Sequence, residues 1–358
     1  MIKVYSFFSG IGFLDFGFEK AGFNIVFVNE INKNFLEAYK FARQNIAVPP
    51  VHGYSDKSAD VFLNDKEWEK ISDSFSYNDI IGFIGGPPCP DFSVAGVNEG
   101  CQGKNGQLTQ TYVDLIKKRE PDFFVFENVK GLYTTKKHRE FFEKIKNELE
   151  NVGYRIFESV ENALSYGVPQ NRDRLFLVGF KKEVFLDDQK SPLGMHRKID
   201  IEEIKKIQWP DKNKFQINSR LECPTGVLRE LTVEYWFEKN KIKQHKNCND
   251  IFKVKNIDKF MSIQEGDTKG KSFKRLHRWR FAPTAAYGHN EVPLHPYLPR
   301  RISVSEALAI QSLPVEFALP EGLPLSTKFK MISNGVPYLL SLGIAKDVME
   351  YINKNFKR

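Results

Sequence analysis

Cysteine is scarce in this chain of 358 residues. The four are Cys89, Cys101, Cys223 and Cys248. No pair has CxxC spacing, and no cysteine pair stands near the histidines at a zinc-finger interval, so the pattern offers no metal site. In a reducing compartment all four are thiols, and an isolated one is by default a small buried hydrophobe. Long apolar runs are missing too. Nothing approaches the roughly 18 consecutive apolar residues of a membrane span. The start, MIKVYSFFSGIG, lacks a basic stretch, a long apolar stretch and a small-residue cleavage site. It reads as a buried strand rather than a signal peptide, and the expected location is the cytoplasm. Internal repeats and long low-complexity segments are absent.

What is present is a globular composition, 41% hydrophobic and 27% charged. The length allows one large domain or two ordinary ones. The net charge of +8 is unevenly spread. From Lys181 to Ala282 there are 24 Lys and Arg against 15 Asp and Glu, while the rest of the chain has 29 against 30. The basic excess therefore sits in one segment. A solvated surface explains a small excess; a regional one suits a polyanion partner.

The first half alternates strand and helix patterns. KVYSFF (Lys3 to Phe8), NIVFVNE (Asn24 to Glu30), IIGFIGG, DFFVFEN and RLFLVGF are buried strand candidates. Helical spacing occupies Leu14 to Ala21, Phe35 to Gln44, Thr111 to Arg119 and Arg139 to Glu150. This order predicts βαβ units and a mostly parallel sheet in an α/β fold. Residues 1–180 are expected to form this domain. Residues 181–300, Lys-rich and weakly periodic, are expected to form a smaller irregular one. Residues 301–358 resume with SVSEALAIQSL and end in an amphipathic helix with basic residues at its C-terminus.

After KVYSFF, Gly10 and Gly12 open a turn before a helix. A dinucleotide fingerprint would need glycine at position 15, where the chain has Asp15. The turn still lets a backbone approach a ligand, with a helix N-terminus behind it. Taken alone it reads equally as a tight turn. Glu30 ends the next strand, where an acid accepts hydrogen bonds from a ribose diol, and this favours a nucleoside-type cofactor.

A second turn, GGPPCPDFS, follows IIGFIGG at the carboxyl edge of the expected sheet. Pro87, Pro88 and Pro90 fix the backbone around Cys89. A structural cysteine needs no such stiffening, whereas a nucleophile needs a fixed position. No neighbouring histidine supplies a protease-type base, which argues against acyl transfer.

Taken together, these motifs resemble the DNA (cytosine-5)-methyltransferase family. FSGIGFLDFGFEKAGF (Phe8 to Phe23) resembles its methionine-cofactor loop and GGPPCPDFS (Gly85 to Ser93) its nucleophile loop. FENVKGL (Phe126 to Leu132) resembles its ENV motif and QNRDR (Gln170 to Arg174) its Q-x-R-x-R. RRISVSEALAIQSLP (Arg300 to Pro314) and ISNGVP (Ile332 to Pro337) resemble its last two motifs. The six occur in the family's order and with its spacing.

The resemblance implies a Rossmann-like domain using S-adenosylmethionine, with S-adenosylhomocysteine as product. It implies Cys89 as the nucleophile that adds to C6 of cytosine, which makes C5 electron-rich. Glu127 would protonate or hydrogen-bond N3. Arg172 would lie near the base carbonyl and the adduct, and Arg174 would support the neighbouring structure. Asn128 would position the loop with Pro88 and Cys89, and Ser93 would bond a phosphate beside the target nucleotide. The implied cofactor residues are Phe8, Gly10, Gly12, Glu30, Pro87, Leu108, Asn334 and Val336, with Asp56 for the adenine. The basic segment would be a target-recognition domain on double-stranded DNA, with the cytosine flipped out. RLHRWRFAPTAAYGHN (Arg275 to Asn290) resembles the stretch that leaves that domain.

The match departs from the family at three places. Pro90 stands where glutamine is usual, VHGYSDKSAD replaces a G-D-I sequence, and Ser333-Asn334 replaces Gly-Asn. The expected activity is that of a site-specific, monomeric DNA methyltransferase of a prokaryotic restriction system, with a cognate endonuclease as its functional partner. A tRNA cytosine-5 methyltransferase is the alternative enzyme, and a non-catalytic DNA-binding homologue the alternative outside enzymes.

Overall fold

The computed structural model describes residues 1–44, 46–72, 79–88, 104–186, 188–253, 257–270, 272–288 and 291–357. Cys89, Pro90, Ser93 and Cys101 lie outside the described residues.

Seven described strands make one sheet: β1 (Ile2–Phe7), β2 (Asn24–Asn29), β3 (Tyr54–Ser55), β4 (Ile80–Gly85), β5 (Phe123–Val129), β6 (Tyr154–Asn162) and β7 (Asp173–Lys181). Their order is β3-β2-β1-β4-β5-β7-β6. The first five are parallel, and β7 runs antiparallel between β5 and β6. Helices α1 (Phe13–Lys20), α2 (Lys33–Arg43), α3 (Asp65–Ser72), α4 (Lys104–Arg119), α5 (Gly131–Thr134) and α6 (Lys136–Asn151) connect the strands.

The central strands are apolar throughout because both their faces are covered. Alternate residues go to opposite sides. Tyr5, Phe7, Phe83, Phe124 and Phe126 pack with Tyr112 and Ile116 of α4 and Phe142 of α6. Val4, Ile84, Phe123, Val125, Phe176 and Val178 pack on the other side with α1 and a C-terminal helix. After the three short helices α7 (Ile201–Lys206), α8 (Val233–Lys239) and α9 (Ile257–Ser262) come α10 (Val304–Ile310), α11 (Leu325–Asn334) and that C-terminal helix, α12 (Tyr338–Asn355). Leu340, Ile344, Val348 and Ile352 recur every fourth residue and form its buried ridge. Ser341 Oγ donates to the Leu14 carbonyl (2.6 Å), and Tyr351 stacks on Phe180 with ring centroids 4.0 Å apart. The end of the chain thus closes the layer that its beginning opened.

The chain does not leave this layer at residue 181. Phe185 bridges Phe356, and the Asp347 carboxylate accepts from the Gly194 and His196 amides. Between residue 210 and α10 the described backbone is irregular apart from α8, α9 and short 3₁₀ turns, and buried arginines organise it. The Arg275 guanidinium donates to the carbonyls of Phe260, Ile263, His295 and Leu298. Arg278 pairs with buried Glu265 at 2.9 Å. This region shares a core with the rest: Val233, Trp236, Phe237, Ala282 and Ala285 meet Ile11, Phe13 and Phe16 near α1 and residues of α10 and α11.

Candidate active site

β1 lies between β2 and β4, so the sheet order reverses there. In a doubly wound sheet the crevice outside the carboxyl ends at that reversal is where ligands bind. A cavity of about 560 Å³ opens at this place. Its walls come from the end of β1 and the turn into α1, the loops after β2, β3 and β4, Leu108 of α4, the end of β5, the start of β7 and the end of α11 with the residues just after it.

The loop after β1 is left-handed at Phe8 (φ 54°), Gly10 (φ 58°) and Gly12 (φ 80°). A Cβ at Gly12 would also lie 2.4 Å from the Tyr39 ring, so glycine is required there twice over. Phe8 and Gly10 line the cavity; Gly12 instead caps α1 outside it. Ser6 Oγ and Tyr39 OH both donate to the Asp15 carboxylate at 2.9 Å. The residue that breaks the glycine fingerprint is therefore a buried anchor joining β1, α1 and α2, and burial raises its pKa.

Glu30 faces the cavity from the end of β2. Its carboxylate accepts from the Gly10 amide (2.9 Å) and the Asn32 amide (2.8 Å). Burial raises its pKa and these two bonds work against the rise. Ile31 beside it lines the cavity with 60% of its surface exposed. Asp56 does not reach the cavity. Its half-exposed carboxylate lies 3.5 Å from Lys33 Nζ, and Ser58 and Ala59 form that wall. Pro87, Pro88, Leu108, Asn334 and Val336 all line the cavity. Asn128 Nδ2 reaches the Pro87 carbonyl at 3.5 Å, and its Oδ1 accepts from the Val129 amide.

At the deep end Glu127 and Arg174 meet. β5 and β7 pair Val129 with Arg174 and Glu127 with Phe176, so Glu127 and Arg174 are diagonal neighbours on one face. Arg174 Nε lies 3.0 Å from Glu127 Oε1. Gly86 presses against the other oxygen, where a Cβ would come within 2.7 Å of Oε2. Burial raises the Glu127 pKa, opposed by Arg174 and then Arg172.

The two arginines of the QNRDR stretch stand in different surroundings. Arg172 directly precedes the first residue of β7 and lies near enough to Arg174 and Glu127 to feel both charges. It is 1% exposed and is not among the cavity-lining residues, whereas Arg174 is. Its guanidinium bonds the carbonyls of Ala285, Ser333 and Gly335. Sequence reasoning also missed Ile31, Ser58, Ala59 and Lys330 on the walls. Ile31 alone had a readable signal, its place next to the acid that ends β2.

A family model described as C-5 cytosine-specific DNA methylase matches residues 2–350. The chain is 50% identical over 363 aligned positions to Type II methyltransferase M.NmeDI of Neisseria meningitidis serogroup C, covering 99% of this chain and 85% of that one. It is 31% identical to Type II methyltransferase M.MthTI of Methanothermobacter thermautotrophicus, over 97% of each chain. Among solved structures, a prophage-encoded protein of E. coli superposes with a TM-score of 0.71 at 23% identity, over 99% of this chain and 100% of that one. The S. pombe Dnmt2 methyltransferase does so at 0.61 and 11% identity, over 99% of each. At these identities the two structures speak for the fold.

Proposed function

Because the chain belongs to the C-5 cytosine-specific DNA methylase family, we propose that it is the modification methyltransferase of a type II restriction system, acting on C5 of a cytosine turned out of duplex DNA. The observation that carries the reading is the buried Glu127–Arg174 pair in a cavity that Pro87 and Pro88, the residues directly before Cys89 in sequence, help to line.

The cavity fits S-adenosylmethionine by the chemistry of its walls. Glu30 offers carboxylate oxygens to a ribose diol, and exposed Ile31 offers an apolar surface to an adenine. Phe8, Gly10, Leu108, Asn334 and Val336 would hold the methionine end. When bound, S-adenosylmethionine supplies an electrophilic sulfonium methyl.

The chain's own residues prepare the base. A pKa raised by burial favours a protonated Glu127 carboxyl, which donates to N3. The Cys89 thiolate adds to C6; the ring's double-bond electrons move toward C5 and N3 takes up the proton. Arg174, paired with Glu127 on the cavity wall, takes the place expected for Arg172: it holds the carboxyl and donates to the base carbonyl. Asn128 steadies the proline turn through the Pro87 carbonyl. Once C5 carries the methyl group, its proton passes to water; the C5–H electron pair re-forms the C5=C6 double bond, the C6–S bond breaks with its pair returning to the Cys89 thiolate, and N3 gives its proton back to Glu127.

A base inside a duplex cannot reach this cavity, so flipping is required, at a cost of a few kcal/mol. The basic residues of the segment from about Lys181 to Arg280 would meet phosphates, and a few side chains would read base edges. The test is tritiated-methyl transfer to genomic DNA and to tRNA in parallel. Label in DNA at 5-methylcytosine is expected. Label confined to tRNA would replace this reading with the tRNA one.

A further inference from the structure

Arg172 is the first of the largest fully buried side chains. Burial and then the neighbouring Arg174 charge lower its pKa, with the Glu127 charge working against them. No carboxylate pairs with it among the described residues, and its Nε–H has no acceptor there. A buried, unpaired charge is costly, and a neutral side chain would fill the space more cheaply. The donors it does use share a pattern. Nη2 donates to the Ser333 carbonyl (2.6 Å) and the Gly335 carbonyl (3.1 Å), the two that flank cavity-lining Asn334. Nη1 donates to the Ala285 carbonyl at 3.1 Å.

Ala285 belongs to the stretch by which the chain returns from the basic segment. That stretch is laced to the residues just before Arg172. The Ala282 amide donates to the Pro169 carbonyl and the Asn171 amide to the Ala282 carbonyl, at 2.8 and 2.9 Å. Gln170 Oε1 accepts from the Ala285 amide, and Thr284 Oγ1 donates to the Asn171 carbonyl (2.6 Å). One guanidinium therefore fastens two segments more than 100 residues away in sequence, one on the way out of the basic segment and one on the cofactor wall.

We propose that Arg172 is a positioning residue that clasps the exit of the recognition segment to the Ser333–Gly335 wall, so that DNA and cofactor each strengthen the other's binding. The clasp rests on the cofactor reading above. Its planar fork suits it to carbonyls lying in different directions, which a lysine ammonium on one flexible stem cannot match. Thermodynamic coupling is reciprocal, so cofactor alone must be felt at the exit stretch.

Hydrogen exchange reads this in the unaltered protein. S-Adenosylhomocysteine is expected to slow exchange at residues 333–337 and also at 282–287. Slowing at 333–337 alone overturns the clasp. No binding of S-adenosylhomocysteine at all removes the cofactor reading itself, and the clasp falls with it. Calorimetry then compares Arg172→Met and Arg172→Lys with the parent. Arg172→Met is expected to bind S-adenosylhomocysteine about tenfold more weakly, the scale of lost bonds from a charged donor, and to lose protection at 282–287. Arg172→Lys is expected to fall between them. A variant with unchanged affinity and unchanged protection, but reduced turnover, would make Arg172 the catalytic group that the motif suggested and overturn the proposal.

Discussion

Glu127 stands under opposed pressures. Burial raises its pKa, while Arg174 at 3.0 Å and then Arg172 pull it down. The rise wins, and its sign sets a pH dependence. A carboxyl with a raised folded pKa contributes stability that is present below its unfolded value and lost as pH rises through the folded one. The acid form is also the one that donates to N3. We therefore expect kcat/KM for DNA to fall as pH rises through the folded value, and Glu127→Gln to lose that limb of the profile. Glu127→Gln should cut turnover by about 10²–10⁴, the range of a general acid, with little change in S-adenosylhomocysteine affinity. A methyl-transfer assay across pH, run beside calorimetry, reads both. Arg174→Met should cost turnover as well and lower the melting temperature, because removing one partner of a buried pair costs about 3–5 kcal/mol. Thermal melts of the single and double variants would show coupling between the two sites. The residue types were legible in the sequence. What was not legible was that Arg174 pairs with Glu127 across β5 and β7, while Arg172, just before β7, donates to carbonyls more than 100 residues away in sequence. Nor was it legible that the Asp56 side chain turns toward Lys33, with Ser58 and Ala59 on the cavity wall.

Among the elements, β1, β2, β4, β5 and β7 were legible because strands buried on both faces read as unbroken apolar runs. β6 was not. It is an edge strand, and its sequence YRIFESVEN carries charges among half-buried positions. β3 has two residues, too few for any periodicity. The turns between elements carry the sharpest steric demands. Gly86→Ala would drive a methyl to within 2.7 Å of Glu127 Oε2. We expect it to lower turnover severalfold or more while the melting temperature changes less than in Arg174→Met. Gly12→Ala combines a φ of 80° with a clash against Tyr39, and should cost more than the roughly 1 kcal/mol of a left-handed alanine alone. Chemical denaturation measures that loss.

For the whole molecule, the apolar pattern foretold a sheet but not how its parts share cores. The irregular region has no periodicity to read, because its packing depends on buried arginines such as Arg275 and Arg278 donating to distant carbonyls and to Glu265. α12 returns to α1 through a ridge that includes Ile344, so Ile344→Ala should destabilise the domain by about 2–5 kcal/mol in denaturant melts. The net charge of +8 is concentrated where duplex DNA is proposed to bind. Raising salt from about 50 to 200 mM should weaken duplex binding by roughly a thousandfold if about six phosphates are met, and should leave S-adenosylhomocysteine binding nearly unchanged. The central claim is that these parts together methylate C5 of a flipped cytosine through Cys89. The most direct measurement is covalent trapping on duplex DNA that contains 5-fluorocytosine, in the presence of S-adenosylmethionine. The parent protein should form a denaturation-resistant complex and Cys89→Ala should form none. Equal trapping by Cys89→Ala, or no complex with the parent on DNA that it methylates, would contradict the account.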